Sequence, residues 1–330
     1  MREIVRCWDA FGVERVRPVL LVPERAAFMA RSKYLREIGL DMPVRYRRSK
    51  HDLDLAWYPW NGVSWAASLP MVATLHDASL FACPPQDPLV REREQRPFRV
   101  AVTQARRIIT DSEFSKTELV RYLDINPDMI DVIYLGVSAT FARAESPSDT
   151  EGLRYLLFVG EPERRKGLPV LLEAIAQLPA QLRESLELVV AGASGQYPLP
   201  TTPESVRVRS VGWVDDMTLA SLYRHALALV YPSEYEGFGL PILEAMAVGT
   251  PVIASDTSSS REAGGSAALY VPLSNAAALA AAIGSVASAP SLAEDLRGRG
   301  QKHAAVRTWQ RTAEQTLTVL ERALTSSDLA

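Results

Sequence analysis

Residues 227–255 read LALVYPSEYEGFGLPILEAMAVGTPVIAS. The rhythm predicts a strand over 227–233, a loop holding Gly237 and Gly239, a helix over 241–248 and a second strand over 251–255. Pro241 suits the first helical position and Gly249 the residue past the end. Two buried strands joined through a helix are the unit of a parallel sheet. Glu236 and Glu244 flank the Gly-Phe-Gly turn, a placement no core face requires, so a ligand is the first suspicion.

The same alternation extends in both directions. Toward the C-terminus come a short strand (267–272), helices near 275–288 and 291–303, and a last helix over about 305–325. Toward the N-terminus lie a helix (217–226), strands 206–214 and 186–192, a helix (168–178) and a strand (154–160). ARAESPSDTEG (142–152) is polar, contains a proline and reads as a linker. Before it, strands are expected at 17–23, 53–59, 70–77, 106–112 and 129–136. Helices are expected at 26–39 and 115–123, the latter with Ser115 and Glu118 as a capping box. The chain opens on a helix-like stretch, MREIVRCWDAFG. The fold class is α/β, two doubly wound Rossmann-like halves facing a cleft. The expected domains are 1–141, a linker at 142–152, 153–304, and a helix at 305–330 crossing back to the first domain. A chain of 330 residues fits two domains of about 150 residues each.

No apolar run is long enough for a membrane helix and no basic-then-apolar leader is visible. Cys7 and Cys83 lack metal-ligand spacing and read as reduced thiols in a cytoplasmic protein. Basic residues exceed acidic ones over the first fifty positions. A solvated surface explains this; so does peripheral contact with an anionic membrane at the inner face of the plasma membrane, or a phosphorylated acceptor. No nucleic-acid motif is present.

In open α/β sheets ligands bind beyond the carboxyl ends of strands. The loop 232–240 is such an end. Its glycines let backbone approach a ligand, and the following helix offers N–H groups and positive dipole to a phosphate. Glu236 in the loop could accept bonds from sugar hydroxyls, and Glu244, in the first helical turn, could grip a ribose diol. Taken singly, Glu244 as a complement to the helix dipole and Glu236 as a solvated loop residue explain each as well. A second strand end, FVGEPERRKG (158–167), carries Arg164, Arg165 and Lys166, which could hold a diphosphate or simply form a solvated turn. Asp52-x-Asp54 precedes a strand, the wrong edge for a metal site, and Asp215 caps a helix. His51, His76, His225 and His303 show no ligand pairing, so no metal is expected. His76, in VATLHD, falls at a strand's carboxyl end and reads as a cleft residue or a structural histidine.

EYEGFGLPILEAMAVGTPVIASDTSSSREAGGSAALYV resembles the paired-glutamate signature of the retaining family-4 glycosyltransferases, glycosyl transferases group 1, which have the GT-B fold. VGEPERRKG, VGWVDDMTLASLYRHALALVYPS, TLHDASLF, ITDSEFSKTEL and RTWQRTAEQTLTVLERAL are similar to other blocks of that family. The match runs from about residue 53 to the end.

The resemblance implies transfer of a hexose from a nucleoside-diphosphate sugar to a glycan or lipid-linked acceptor, without metal or other cofactor. It implies that Glu236 contacts the donor sugar with Gly237 and the backbone of Phe238 and Gly239. Leu240 N–H faces the phosphate, and Glu244 holds the ribose. Lys166, with Arg165, binds the diphosphate. His76 lies beside the reacting sugar; Gly192 and Val214 line the nucleobase pocket. The TLHD block and the E-P-x-R-K variant lean toward mannose and GDP-mannose.

Two departures stand out. Glu161 occupies a position where the family usually has arginine. The family's first strand and Gly-rich loop are not visible, so either the start lies upstream or the acceptor half is defective. A non-catalytic or truncated nucleotide-sugar-binding protein, and a nucleotide-sugar epimerase on the same fold, are the alternative readings.

Overall fold

The computed structural model describes residues 1–10, 17–22, 44–46, 52–65, 68–142 and 154–325. In chain order the described elements begin with α1 (Arg2–Ala10), β1 (Leu20–Val22), β2 (Val44–Tyr46), β3 (Ala56–Tyr58) and β4 (Met71–Thr74). Next come α2 (Ser79–Ala82), α3 (Pro88–Gln104), β5 (Arg107–Thr110), α4 (Glu113–Leu123), β6 (Ile130–Val132) and α5 (Ala139–Ala142). The later half has β7 (Arg154–Val159), α6 (Leu168–Ala176), α7 (Ala180–Glu184), β8 (Leu186–Ala191), β9 (Val208–Gly212), α8 (Asp216–His225) and β10 (Ala228–Tyr231). It closes with α9 (Leu240–Ala247), β11 (Val252–Ser255), α10 (Ser258–Gly264), β12 (Leu269–Val271), α11 (Ala276–Ser288), α12 (Pro290–Ala305) and α13 (Trp309–Thr325).

These elements form two compact units. One contains Met1–Asp111, Lys116–Gly136 and Thr308–Ala330; the other contains Ser112–Ser115 and Val137–Arg307. In the first unit, β3, β4, β5 and β6 make a parallel sheet in sequence order, and β1 and β2 form a separate parallel pair. Among the described residues no strand joins the pair to the four. Successive residues of a strand face opposite sides. Ala73 and Ile108 therefore enter a core with Tyr58, Phe98 and Leu119. Their neighbours Val72 and Ile109 enter another core with Ile4, Val5 and Trp8 of α1 and Leu317, Val319 and Leu320 of α13.

The second unit is a six-stranded parallel sheet in the order β12-β11-β10-β7-β8-β9. Strand order reverses between β7 and β10, which are hydrogen-bonded neighbours. That reversal opens the crevice in which such sheets bind ligands. Leu156, Phe158, Leu188, Val190, Val230 and Ile253 from the strands pack with Leu171 of α6 and Ile283 of α11.

Several expectations need correction. The helix expected at 115–123 begins at Glu113, because Ser112 Oγ accepts the Ser115 N–H at 2.9 Å and caps it. Ser115 is thus inside the helix, and Glu118 pairs with Arg121 at 3.4 Å instead of completing a capping box. By packing, the first unit gives way to the second after Gly136, five residues before the boundary expected after residue 141. Residues of α5 belong to the second unit, where Phe141 packs edge-on against Tyr223. The last helix starts at Trp309, not 305, because Thr308 Oγ1 accepts from Arg311 N–H at 3.2 Å and starts a new helix. Helix α3 was not expected at all. Asp87 caps it and Pro88 opens it, but its charged sequence and internal Pro97 hide the periodicity. The helix expected at 26–39 and all but the first residue of the linker lie outside the described residues.

Candidate functional site

Strands β7 and β10 each end in a loop that carries charge. Beyond β7, Gly160 turns the chain at φ +133°, and residues 164–166 form one tight turn. Gly167 then takes φ +71°; a Cβ there would lie 2.1 Å from the Pro232 carbonyl oxygen, so only glycine fits. This close approach sets the basic turn against the start of the β10 loop.

The result is a four-residue charge cluster. Lys166 Nζ lies 2.6 Å from Glu236 Oε1, an ion pair whose approach angle is not that of a hydrogen bond. Arg165 Nη1 lies 3.1 Å from Glu236 Oε2 and donates to the Tyr235 carbonyl at 2.9 Å. Arg165 Nε donates to Glu163 Oε2 at 2.8 Å, which fixes the guanidinium plane. Glu236 is buried, at 9% exposure. A carboxylate so enclosed is stable only when paired, and both partners are cations at the switch point. Burial and the nearby Glu236 carboxylate push the Tyr231 phenol well above its ordinary value. Arg164, the third cation of the sequence cluster, is exposed on the same turn.

After Glu236 the chain enters α9. Gly237 does not have positive φ; its carbonyl accepts hydrogen bonds from Ser112 Oγ and from Ser115 Oγ, the latter at 2.9 Å. Gly239 has φ +112° and stands at the N-cap with no side chain to satisfy the first N–H groups. Phe238 is buried beside it. Leu240 is the first helical residue and Pro241 the second. Pro241 has no N–H and Ile242 N–H donates to Gly239 O at 2.9 Å, so this N-terminus offers an anion the Leu240 N–H and the positive end of the helix dipole.

Glu244 stands one turn into α9, not in its first turn as the sequence suggested. It does more than complement the dipole there. Tyr223 of α8 donates its O–H to Glu244 Oε2 at 3.0 Å, and burial of the carboxyl raises its pKa to about 7. The residue is half-buried. Tyr223 is itself fully buried, and such a phenol needs a partner for its hydroxyl.

Gly192 closes β8 at φ +92° and donates its N–H to Gly212 O at 2.7 Å. A Cβ on Gly192 would meet Gly160 N at 3.2 Å, and one on Gly160 would meet the Lys166 side chain at 3.6 Å. The ends of β9, β8 and β7 therefore run side by side up to Lys166. Val214 follows β9, half-buried, two residues before α8. Asp215 caps α8 by accepting from Thr218 N–H at 2.7 Å, which lowers its pKa. Glu161 accepts from Ser194 N–H at 2.8 Å; its Oε2 is buried without a hydrogen-bond partner among the described residues.

His76 belongs to the first unit, just beyond β4. Its Nδ1 lies 2.7 Å from Asp111 Oδ2 and its Nε2 lies 3.2 Å from Pro59 O. Both partners are acceptors, so the ring satisfies both only when doubly protonated. Burial alone would depress the imidazole pKa; the Asp111 carboxylate and its hydrogen bond outweigh that, and the net direction is upward. Asp52 and Asp54 precede β3, away from the strand ends that carry His76. Among the described residues no three of His, Cys, Asp and Glu converge as metal ligands. No single described helix is long and apolar enough to cross a membrane.

Sequence reasoning missed Glu163, Tyr223 and Ser112, and gave Ser115 only the role of a helix cap. No local signal marked Tyr223 or Ser112, whose partners Glu244 and Gly237 are brought to them by packing.

Residues 141–303 match the family described as glycosyl transferases group 1, and residues 7–141 match Glycosyltransferase Family 4, so the likeness extends further toward the N-terminus than expected. The chain is 33% identical over 263 residues to the O-antigen chain mannosyltransferase B of Escherichia coli, covering 74% of this chain and 68% of that protein. It is 30% identical over 305 residues to a D-inositol 3-phosphate glycosyltransferase of Arthrobacter sp. (strain FB24), covering 83% and 71%. Among solved structures, Anabaena HepE in complex with UDP-glucose superposes with a TM-score of 0.73 over 97% of this chain and 96% of that one, at 18% identity. That likeness carries the fold, two parallel-sheet α/β units of GT-B type. With the basic turn and the paired-glutamate loop meeting at a switch point, the chain belongs to the glycosyl transferases group 1 family and is a glycosyltransferase.

Proposed function

We propose that the chain transfers a hexose, with mannose favoured, from a nucleoside-diphosphate sugar to a glycan or lipid-linked acceptor with retention at the anomeric carbon, and without a metal. The observation that carries this reading is the convergence of Lys166 and Arg165 on Glu236 beside the uncapped N-terminus of α9. Two cations and a helix N-terminus offer the charge a diphosphate needs where other enzymes use a metal ion. Glu236 holds the two cations until the donor arrives, and then shares them with it while its carboxylate meets sugar hydroxyls. Gly237, Phe238, Gly239 and Leu240 form the backbone wall against which the donor lies.

Glu244 takes the ribose diol through the oxygen that Tyr223 leaves free of its own hydrogen bond. Gly192 and Val214 border the base. No protein nucleophile is needed if the acceptor attacks on the face the diphosphate leaves and the diphosphate takes the acceptor's proton. The protein's contribution is then electrostatic: Arg165, Lys166 and α9 stabilise charge developing on the leaving group. His76 turns both ring nitrogens to Asp111 and Pro59, so on the first unit it offers the edge of a ring whose pKa is shifted upward and not a free N–H.

The preference for mannose is supported by the name of the E. coli relative, and HepE, crystallised with UDP-glucose, supports a uridine donor instead. A thermal-shift panel of GDP-mannose, UDP-glucose and UDP-N-acetylglucosamine, followed by donor hydrolysis with and without EDTA, tests the reading. Stabilisation by GDP-mannose and its slow, EDTA-insensitive hydrolysis to mannose and GDP are expected. Stabilisation by UDP-glucose alone overturns the mannose assignment; binding without hydrolysis or transfer favours the non-catalytic alternative. Peripheral contact with an anionic membrane is proposed from the basic N-terminal stretch, much of which lies outside the described residues; sedimentation with phosphatidylglycerol vesicles tests it.

A further inference from the structure

The first unit carries an exposed tryptophan that the donor chemistry does not use. Trp60 is 77% exposed, in the loop between β3 and β4, yet the backbone that carries it is fixed on every side. Asn61 takes φ +37° and Gly62 φ +99°. Asn61 Oδ1 accepts the His76 backbone N–H at 3.0 Å, and Gly62 N–H donates to Thr74 O at 3.2 Å. Val63 N–H donates to Pro97 O at 2.9 Å, and a Cβ on Gly62 would lie 2.5 Å from the Pro97 carbonyl. Tyr58 O–H donates to Trp65 O at 2.7 Å and closes the far side. The indole ring meets the His76 ring edge-on, centroids 5.3 Å apart.

Burying a ring this large would be favourable, and a loop this constrained could have turned it inward; it instead presents an indole to solvent at the carboxyl edge of the sheet. A strained turn held by several hydrogen bonds around an exposed aromatic signals selection for a ligand over stability. The ligand that matches is a pyranose. One face of the sugar ring is a patch of C–H groups that lies flat on an indole, and its hydroxyl rim needs polar partners. Asn61 Nδ2 makes no hydrogen bond among the described residues and stands as the polar partner for that rim, while the His76 ring, its nitrogens turned to Asp111 and Pro59, packs alongside the indole.

We propose that Trp60 is the stacking platform for a pyranose ring of the acceptor, so that the acceptor is recognised as a saccharide at the His76 edge of the first unit. This rests on the reading that His76 serves the transfer reaction. The indole loses little conformational freedom on binding and discriminates by shape, not by charge. It positions the acceptor and takes no part in bond making.

The test titrates the whole chain with methyl α-D-mannopyranoside and an α-linked mannobiose by saturation-transfer NMR and calorimetry. Trp60→Ala should weaken binding of both about tenfold, and Trp60→Phe should keep part of it. Neither variant should change the melting temperature, or the thermal shift given by GDP or UDP. Equal saccharide binding by Trp60→Ala and the parent chain overturns the proposal, as does failure of the parent to bind either saccharide. So does loss of phosphatidylglycerol-vesicle binding in Trp60→Ala with saccharide binding intact, which would make the indole a membrane contact. Failure of the donor assignment would show separately, as absence of any GDP or UDP shift in the parent.

Discussion

Glu244 is a carboxyl whose proposed work needs negative charge in a place that disfavours it. Its pKa, raised by burial to about 7 from an ordinary 4.5, means the folded chain binds a proton the unfolded chain releases. The neutral form's contribution to stability is therefore complete below about pH 4.5 and is lost as pH rises through about 7. Glu244→Gln removes that dependence. At pH 8 the variant should be more stable than the parent by on the order of 2 kcal/mol, with the side chain's residual solvation allowed for. Near pH 4.5 the two should match, and donor affinity should fall at every pH. Denaturant melts at pH 5 and 8 decide it; equal destabilisation at both would mean that Glu244 serves packing alone. Lys166 makes the complementary case. A hydrogen bond to a charged group contributes roughly 1.5–3 kcal/mol, so Lys166→Ala should weaken nucleoside-diphosphate binding by about tenfold or more. EDTA should leave the parent's affinity unchanged. Calorimetry showing an unaltered Kd in the variant, or binding abolished by EDTA, would remove the diphosphate role.

The turn between β7 and α6 shows how an element's end places a charge. Three cations in sequence would ordinarily splay into solvent. Here Gly167 lets the chain double back at φ +71° until it touches the Pro232 carbonyl, and this brings Lys166 and Arg165 onto Glu236. Gly167→Ala meets both the left-handed penalty of about 1–2 kcal/mol and a 2.1 Å collision with backbone. It should destabilise the chain by at least about 2 kcal/mol and weaken diphosphate binding without touching any ligand-facing atom. If urea melts and GDP affinity were both unchanged, the turn would not be what positions the cations. The N-terminus of α9 has the same logic. Gly239 at φ +112° offers no capping side chain, Pro241 has no N–H and Ile242 N–H turns back to Gly239 O at 2.9 Å, so the first-turn donor that the helix leaves open is that of Leu240.

In the molecule as a whole, the residues proposed to hold the donor lie in one of the two units, so the other can be perturbed by itself. Trp8 of α1 packs at 5.7 Å from Trp57 and donates its indole N–H to the Ala313 carbonyl of α13 at 2.9 Å. It anchors the core face built from α1, α13 and the inner sides of β4 and β5. Trp8→Ala should cost the first unit about 3–5 kcal/mol. The residues proposed to hold the nucleoside diphosphate all belong to the second unit, so GDP affinity below the melting range should be unchanged. Calorimetric unfolding with and without GDP checks both halves; a parallel loss of GDP affinity would show that donor binding depends on the first unit's core.

The sequence by itself determined the α/β class, the strands that line the second sheet and the two loops that carry its charge. Those signals are local: apolar runs of strand length, glycines where the backbone must turn, and acids or bases just beyond them. It located Glu236, Lys166 and Arg165 without showing that they form one ion cluster, because the contact spans two loops whose meeting depends on β7 lying beside β10. Helix α3 was hidden because Pro97 and a run of charges mask a short buried face of Gln95, Phe98 and Ala101, one of them polar. The cap of α4 was misassigned because Ser112 and Ser115 look alike in sequence and both hydroxyls donate to the Gly237 carbonyl; only the Ser115 N–H bond to Ser112 Oγ separates their roles. The Tyr223 bond to Glu244, the Asp111 bond to His76 and the fixed exposure of Trp60 were decided by tertiary structure. Each joins residues distant in sequence, and burial, which sets their protonation and their need for partners, is a property of the packed chain alone.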